Sequence, residues 1–153
     1  MKTLFALLLL LLVPPAYASA DPVVGYWETE DHDAVIEFLP CEDSFCGRFV
    51  WLKEDSAENP SLDDLNTNVD KRGRPLCGLT FLGGFEKEDE GVYKSGWIYS
   101  PRHGSSFGAE LKLQDADTLV LRGYFLFPFL GGEQTWKRVL SPSFCWKIRD
   151  AKR

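Results

Sequence analysis

Phe107-Gly108-Ala109-Glu110-Leu111-Lys112-Leu113-Gln114 is the stretch that decides the fold class. Phe107, Ala109, Leu111 and Leu113 alternate with Glu110, Lys112 and Gln114, and successive side chains of a strand point to opposite faces. One face of such a segment meets a core and the other meets water, as in antiparallel sheets with one solvated side. The polar turn 114–117 then hands the chain to a second strand over 117–127.

Working outward, the same signals predict strands at 24–29, 33–39, 45–53, 76–85, 91–100, 134–140 and 144–148. In 33–39, Ala34, Ile36 and Phe38 share a face. In 45–53, Phe45, Phe49 and Trp51 share one and Arg48 opposes them; in 91–100, Trp97 and Tyr99 fall together. Gly47, Gly78, Gly96 and Gly123 interrupt strand patterns and mark bends or bulges where a sheet curls. No segment sustains a 3.6-residue apolar period, so helix is confined to a turn around 60–65. The acidic run 86–90 reads as a solvated hairpin loop. Roughly eight or nine short strands at such spacing predict an all-β fold, a single antiparallel barrel of about eight strands.

The first twenty residues stand apart. Lys2 precedes an unbroken apolar run over 4–13, Pro14 and Pro15 end it, and Ala18-Ser19-Ala20 reads as a cleavage site. That is a secretory signal peptide, and the run is too short to span a bilayer. The expected organisation is therefore a signal peptide at 1–20 and a single β-barrel domain at 21–153, soluble and periplasmic or secreted. The strongest later apolar run, 124–130, contains Pro128 and is also far too short to cross a membrane, so no stable membrane insertion is expected. A net charge of −6 argues against nucleic acid or anionic lipid as a main partner.

Four cysteines in an exported chain favour disulfides over metal. Of the three pairings, Cys41–Cys46 would clamp a hairpin turn and Cys77–Cys145 would tie the middle of the chain to its end. A metal site is disfavoured by the absence of C-x-x-C and of any Cys/His cluster at zinc spacing. No cofactor is called for. Asp64, Asn66, Asn68 and Asp70 imitate the first half of a calcium loop, but Val69 stands where the loop needs glycine and Pro75 where it needs glutamate. An Asx-rich turn is the simpler reading. His32 and His103 both sit in turns, and the serines near His103 lack a G-x-S-x-G elbow. A hydrolytic enzyme is accordingly the weakest functional reading, and no catalytic residue is assigned. The long polar segment 54–74 is a candidate binding element, because structureless loops of that length are usually functional.

Several phrases converge on one family. They are Gly25-Tyr26-Trp27, the run Cys46-Gly47-Arg48-Phe49-Val50-Trp51-Leu52, Asp63-x-x-Asn66 leading to Arg74-Pro75-Leu76-Cys77-Gly78-Leu79, and Gly96-Trp97-Ile98-Tyr99-Ser100-Pro101. Asp117-Thr118-Leu119, Arg122-Gly123-Tyr124 and Thr135-Trp136-Lys137-Arg138-Val139 complete the set. Together they resemble the bacterial family called domain of unknown function 2147. The resemblance implies export and supplies no catalytic residues. That family usually carries aspartate where this chain has Ser100. Gly25-x-Trp27 with a late Arg138 also resembles the calycin pattern of lipocalins, in which an arginine of the last strand covers a first-strand tryptophan by cation–π contact.

The leading functional expectation is an exported binding protein for a small apolar or amphipathic ligand. Its pocket would be lined by Phe38, Phe49, Trp51, Trp97, Tyr99, Leu111, Leu121 and Tyr124, with Arg48 or Arg122 holding an acidic head group. Periodicity alone does not say which strand face points inward. The alternative is an envelope protein–protein interaction module that uses the 54–74 loop or a sheet edge.

Overall fold

The computed structural model describes residues 21–126, 131–140 and 142–151; the signal-peptide reading of 1–20 and the end of the 124–130 apolar run lie outside them. Nine strands follow in chain order: β1 (Gly25–Glu28), β2 (Ala34–Cys41), β3 (Ser44–Leu52), β4 (Thr80–Gly83), β5 (Glu86–Asp89), β6 (Val92–Ser100), β7 (Ser105–Asp115), β8 (Thr118–Tyr124) and β9 (Gly131–Val139). A short helix, α1 (Trp146–Ala151), ends the described chain. Every pairing is antiparallel, in the order β4-β3-β2-β1-β9-β8-β7-β6-β5, and β4 also pairs with β6. That last contact closes eight strands into a barrel, with β5 as a ninth continuing along β6. Closure removes the unpaired edges that an open sheet would expose.

The alternation over 107–114 sets the inside. Ala109 and Leu111 are buried, and their register partners Gly96, Tyr93 and Leu121 share the inward face. The interior is filled by aromatic side chains. Phe45 stacks on Phe85 with centroids 5.2 Å apart and meets Tyr93 and Phe38 edge-on at 5.0 and 5.5 Å. Phe49 stacks on Phe81 at 4.0 Å, and Phe38 approaches Trp136 at 6.2 Å. Gly96 is glycine because the Phe85 ring occupies the place of a side chain.

At one end Arg138 lies over the Trp27 ring, 4.2 Å from its centroid. Its guanidinium also donates to the carbonyls of Ala116, Val24 and Pro22 at 2.7, 3.1 and 2.6 Å. Trp27 Nε1 donates to Val23 O at 2.8 Å, so the segment before β1 plugs this end. At the opposite end, β3 and β4 are joined by the long connection 53–79, and β6 and β7 by the turn 101–104.

Four local expectations are corrected. The segment 144–148 is not a strand: α1 begins at Trp146 and buries Cys145 and Ile148 against Val35, Val50 and Cys77 outside the barrel. Pairing of β9 with β1 leaves no edge for a further strand, and the spacing of Cys145 and Ile148 suits one face of a helical turn. Of 76–85 only Thr80–Gly83 is strand, because Gly78 turns the backbone at φ +80° and Cys77 is bridged. The acidic run is itself strand, β5, with all four residues exposed and Glu88 paired to Lys94. The helical turn lies at Val69–Lys71, not around 60–65, and is capped by the Asn68 side chain.

Cys41–Cys46 closes the β2–β3 hairpin, and Cys77–Cys145 fastens α1 to the base of the long connection. Two disulfides suit an oxidising extracellular or periplasmic environment. Among the described residues no helix is long and apolar enough to cross a membrane.

A candidate binding cleft on the barrel flank

The 53–79 connection is built on a short ladder of its own. Asp63 N donates to Arg74 O at 3.0 Å, Leu76 N to Ser61 O at 2.8 Å, and Leu62 bridges Pro75. Its tip is held at the β6–β7 turn, where Thr67 donates from both N and Oγ1 to Gly104 O at 3.1 Å. Gly104 has φ +63°, and the Leu65 carbonyl sits where a Cβ would go, so glycine is required on both counts.

Under this connection lies a buried polar cluster. The Asp63 side chain is fully buried. Its Oδ2 accepts from Asn66 Nδ2 and Arg74 Nε, both at 2.8 Å, and its Oδ1 accepts from the Tyr99 hydroxyl. Asn66 Nδ2 also donates to the Tyr99 oxygen at 2.9 Å, and the Arg74 guanidinium stands 5.6 Å over the Tyr99 ring. Burial alone would raise the Asp63 pKa. Hydrogen bonds from Tyr99, Asn66 and Arg74, with the charge of Arg74, outweigh it and hold the carboxyl below its ordinary range. Burial, then the Asp63 carboxylate, push Tyr99 up. At neutral pH the cluster is an ionised aspartate and a protonated tyrosine. The family phrases Asp63-x-x-Asn66, Arg74 and Tyr99 thus converge here from 36 residues apart.

The calcium-like spacing resolves into turns. Asn66 Oδ1 accepts from Asn68 N at 2.8 Å, and Asn68 Oδ1 from Asp70 N at 3.0 Å. Asp55, Cys77 and Cys145 also lie together, but both sulfurs are held in the disulfide. His103 Nδ1 bonds Ser100 Oγ at 2.9 Å on an exposed turn, and His32 pairs with Glu28 at 2.9 Å.

The strand register gives each residue expected to line a pocket its place. Phe38, Phe49, Leu111 and Leu121 are buried in the barrel. Trp51 is not with them. Val35 pairs Trp51 while Ile36 pairs Phe49, so Val50 is an inserted residue that reverses the alternation. Trp51 accordingly packs outside, against the cluster around Cys77 and Cys145. Ile98 is opposite Leu82 and approaches Gly123, on the inward face, so its neighbours Trp97 and Tyr99 turn to the other side; Tyr99 nevertheless stays buried in one cluster with Phe49 and Phe81, and Trp97 does not. Tyr124 pairs with Gly108 on that same outward face, its ring lying over the glycine. Arg48 faces outward and pairs with Glu37 at 2.6 Å across β2–β3; Arg122 pairs with Glu133 at 2.9 Å across β8–β9. Both arginines therefore sit in cross-strand pairs on the outer wall, away from the interior.

Tyr99 is only 8% exposed because the long connection covers it, whereas Trp97 is 41% exposed. Between the connection and the outer wall of β4, β6 and β7 a cleft of about 290 Å³ remains. Lys71, Arg74, Thr80, Trp97, Ser105 and Ser106 line it, together with Tyr99, Gly104 and residues 66–68. Sequence reasoning named Trp97 and Tyr99 but missed Lys71, Arg74, Thr80 and the two serines. The available signal was the unusual length of 54–74, which marked the loop without marking its residues.

A model of the family DUF2147, described as an uncharacterized protein conserved in bacteria, matches residues 25–138. No curated protein matches the chain. Among solved structures, the protein HP1028 from the human pathogen Helicobacter pylori, described as belonging to the lipocalin family, is similar with a TM-score of 0.70. It is 22% identical, over 84% of this chain and 88% of that one. At that identity the likeness concerns the fold, which is a lipocalin-like barrel.

Proposed function

The chain belongs to the bacterial DUF2147 family, and on that premise we propose that it is an exported, non-enzymatic binding protein whose small ligand sits in the flank cleft. The observation that carries this reading is the contrast between the two spaces. The interior is occupied by the stacked rings of Phe45, Phe85, Phe49 and Phe81. The cleft is open, holds a half-exposed indole and collects polar groups from the long connection, β4, β6 and β7. Binding sites combine a concave surface, an aromatic face and a few polar anchors in this way. An amphipathic ligand fits better than a purely apolar one, because most of the lining carries donors. Export rests on the signal peptide read in 1–20 and agrees with the two disulfides.

The test is a ligand-observed NMR fragment screen of the mature protein, run beside Trp97→Ala. Fragments that bind the wild type with Kd below ~1 mM, about −4 kcal/mol, and not the variant support the cleft. A screen whose hits are all indifferent to Trp97, or that yields none, contradicts it.

A second reading has its own observation. Leu65 and Val69, on the same connection, are 63% and 64% exposed. A protein partner in the envelope would cover them. Crosslinking at Leu65 and Val69 in intact cells, with one partner captured at both positions and released by Leu65→Ser, would favour that reading.

A further inference from the structure

We propose that the cleft ligand is a single hydroxyl-bearing ring carrying one anionic group, as in a sugar acid or a sugar phosphate. This rests on the cleft being the binding site and goes on to name the ligand's chemistry.

Charge is the first argument. The charged side chains that line the cleft are Lys71 and Arg74, and no carboxylate lines it; Asp64 and Asp70, on the same connection, do not. Arg74 is balanced from behind by buried Asp63. Lys71 is exposed and has no ion pair among the described residues. One unbalanced cation at the cleft edge favours one anionic group.

The second argument is the aromatic wall. The Trp97 indole lies along Gly83 and Gly84, where added Cβ atoms would stand 3.4 Å from Cζ2 and 3.0 Å from Cδ1. Gly84 also has φ +70°. Two side-chain-free residues thus let the Nε1 edge of the indole lie close against the backbone, with 41% of the residue exposed. A partly exposed indole held at its edge is suited to the face of a ligand ring.

Hydroxyls are the third. Thr80, Ser105 and Ser106 line the cleft, and among the described residues their hydroxyl groups make no hydrogen bond within the protein. Each can donate and accept, which matches the dual character of a ligand hydroxyl. The volume of about 290 Å³ stands at the small end of ligand pockets and holds one ring, not a chain of them.

The experiment is titration calorimetry of the mature, oxidised protein with D-glucuronate, D-glucose 6-phosphate, D-glucose and benzoate. Glucuronate or glucose 6-phosphate should bind at least tenfold more tightly than glucose, and whichever is tighter identifies carboxylate or phosphate as the anion. Lys71→Ala should weaken the acid at least tenfold and leave glucose unchanged; Lys71→Arg should restore most of the loss. Gly84→Ala should weaken all ring ligands by displacing the indole. Equal binding of glucose and the acids, or affinity within twofold in Lys71→Ala, overturns the anion assignment. Tighter binding of benzoate than of either sugar acid overturns the hydroxyl assignment. In both cases the cleft stands if Trp97-dependent fragments bind. Absence of any Trp97-dependent fragment removes the cleft itself.

Discussion

Asp63 is the residue on which the long connection turns. Its carboxylate holds a tyrosine of β6, an asparagine and an arginine of the connection at once. Removing it strands three donors in a buried place. Asp63→Ala should cost about 3 kcal/mol, the low end for breaking a buried pair, since Arg74 is partly exposed and recovers some water. Urea unfolding followed by far-ultraviolet circular dichroism measures it. The pH dependence has a definite sign. The folded carboxyl has a lower pKa than the unfolded one, so the unfolded state takes the proton first as pH falls. Its contribution is complete above about pH 5 and is lost as pH falls through the unfolded value near 3.9 towards the depressed folded value. Asp63→Asn should therefore be less stable at pH 7 and show a shallower loss between about pH 5 and 3. Parallel pH curves for the two proteins would contradict this. None of the cluster was visible as such in the sequence. Asp63 and Asn66 are three apart and suggest only a turn, while Tyr99 comes from a distant strand. Only the folded register brings them together.

At the scale of elements, period-two reasoning reads a strand faithfully until a residue is inserted. The run 107–114 holds its alternation, and its inward face is the barrel interior. In β3 the inserted Val50 sends Trp51 outside, and in β6 the register shift between Tyr93 and Gly96 does the same for the relation of Tyr93 to Trp97. Gly47 and Gly96 do mark register shifts, as glycines within strand patterns suggest, but the insertion at Val50 leaves no mark in the pattern, so the sharing of a face was legible and its direction was not. The C-terminal segment shows a different limit. Its aromatic and β-branched residues look strand-like, yet the barrel is closed by β9 on β1, and α1 covers the wall instead. The Cys77–Cys145 bridge spans 68 residues and fixes α1 there. Replacing both cysteines with serine should cost about 4 kcal/mol in the chain-entropy account. Hydrogen exchange should then show protection lost first over 145–151, with β6–β8 still protected. Ile148→Ala should cost about 2 kcal/mol by opening a cavity under the helix, read from the urea midpoint.

For the whole molecule, the two ends of the barrel divide the labour. One end is sealed by Trp27 under Arg138, with three backbone carbonyls gathered on the guanidinium. That contact was legible from Gly25-x-Trp27 and the late arginine through their resemblance to the calycin pattern. Arg138→Ala should lower stability by roughly 2 kcal/mol through lost cation–π and carbonyl contacts, and should leave ligand affinity unchanged. At the other end the 53–79 connection leaves the rim and folds over the flank, and the cleft it forms with the outer wall of β4, β6 and β7 is where we propose the ligand sits. The measurement that tests this most directly is amide and indole chemical-shift mapping of the ¹⁵N-labelled mature protein titrated with D-glucuronate. Shifts should concentrate at the Trp97 indole, Thr80, Ser105, Ser106 and 66–74, and saturate together. Shifts centred on the barrel interior, at Leu111, Leu121 and Trp136, would place the ligand inside and contradict a binding site on the flank.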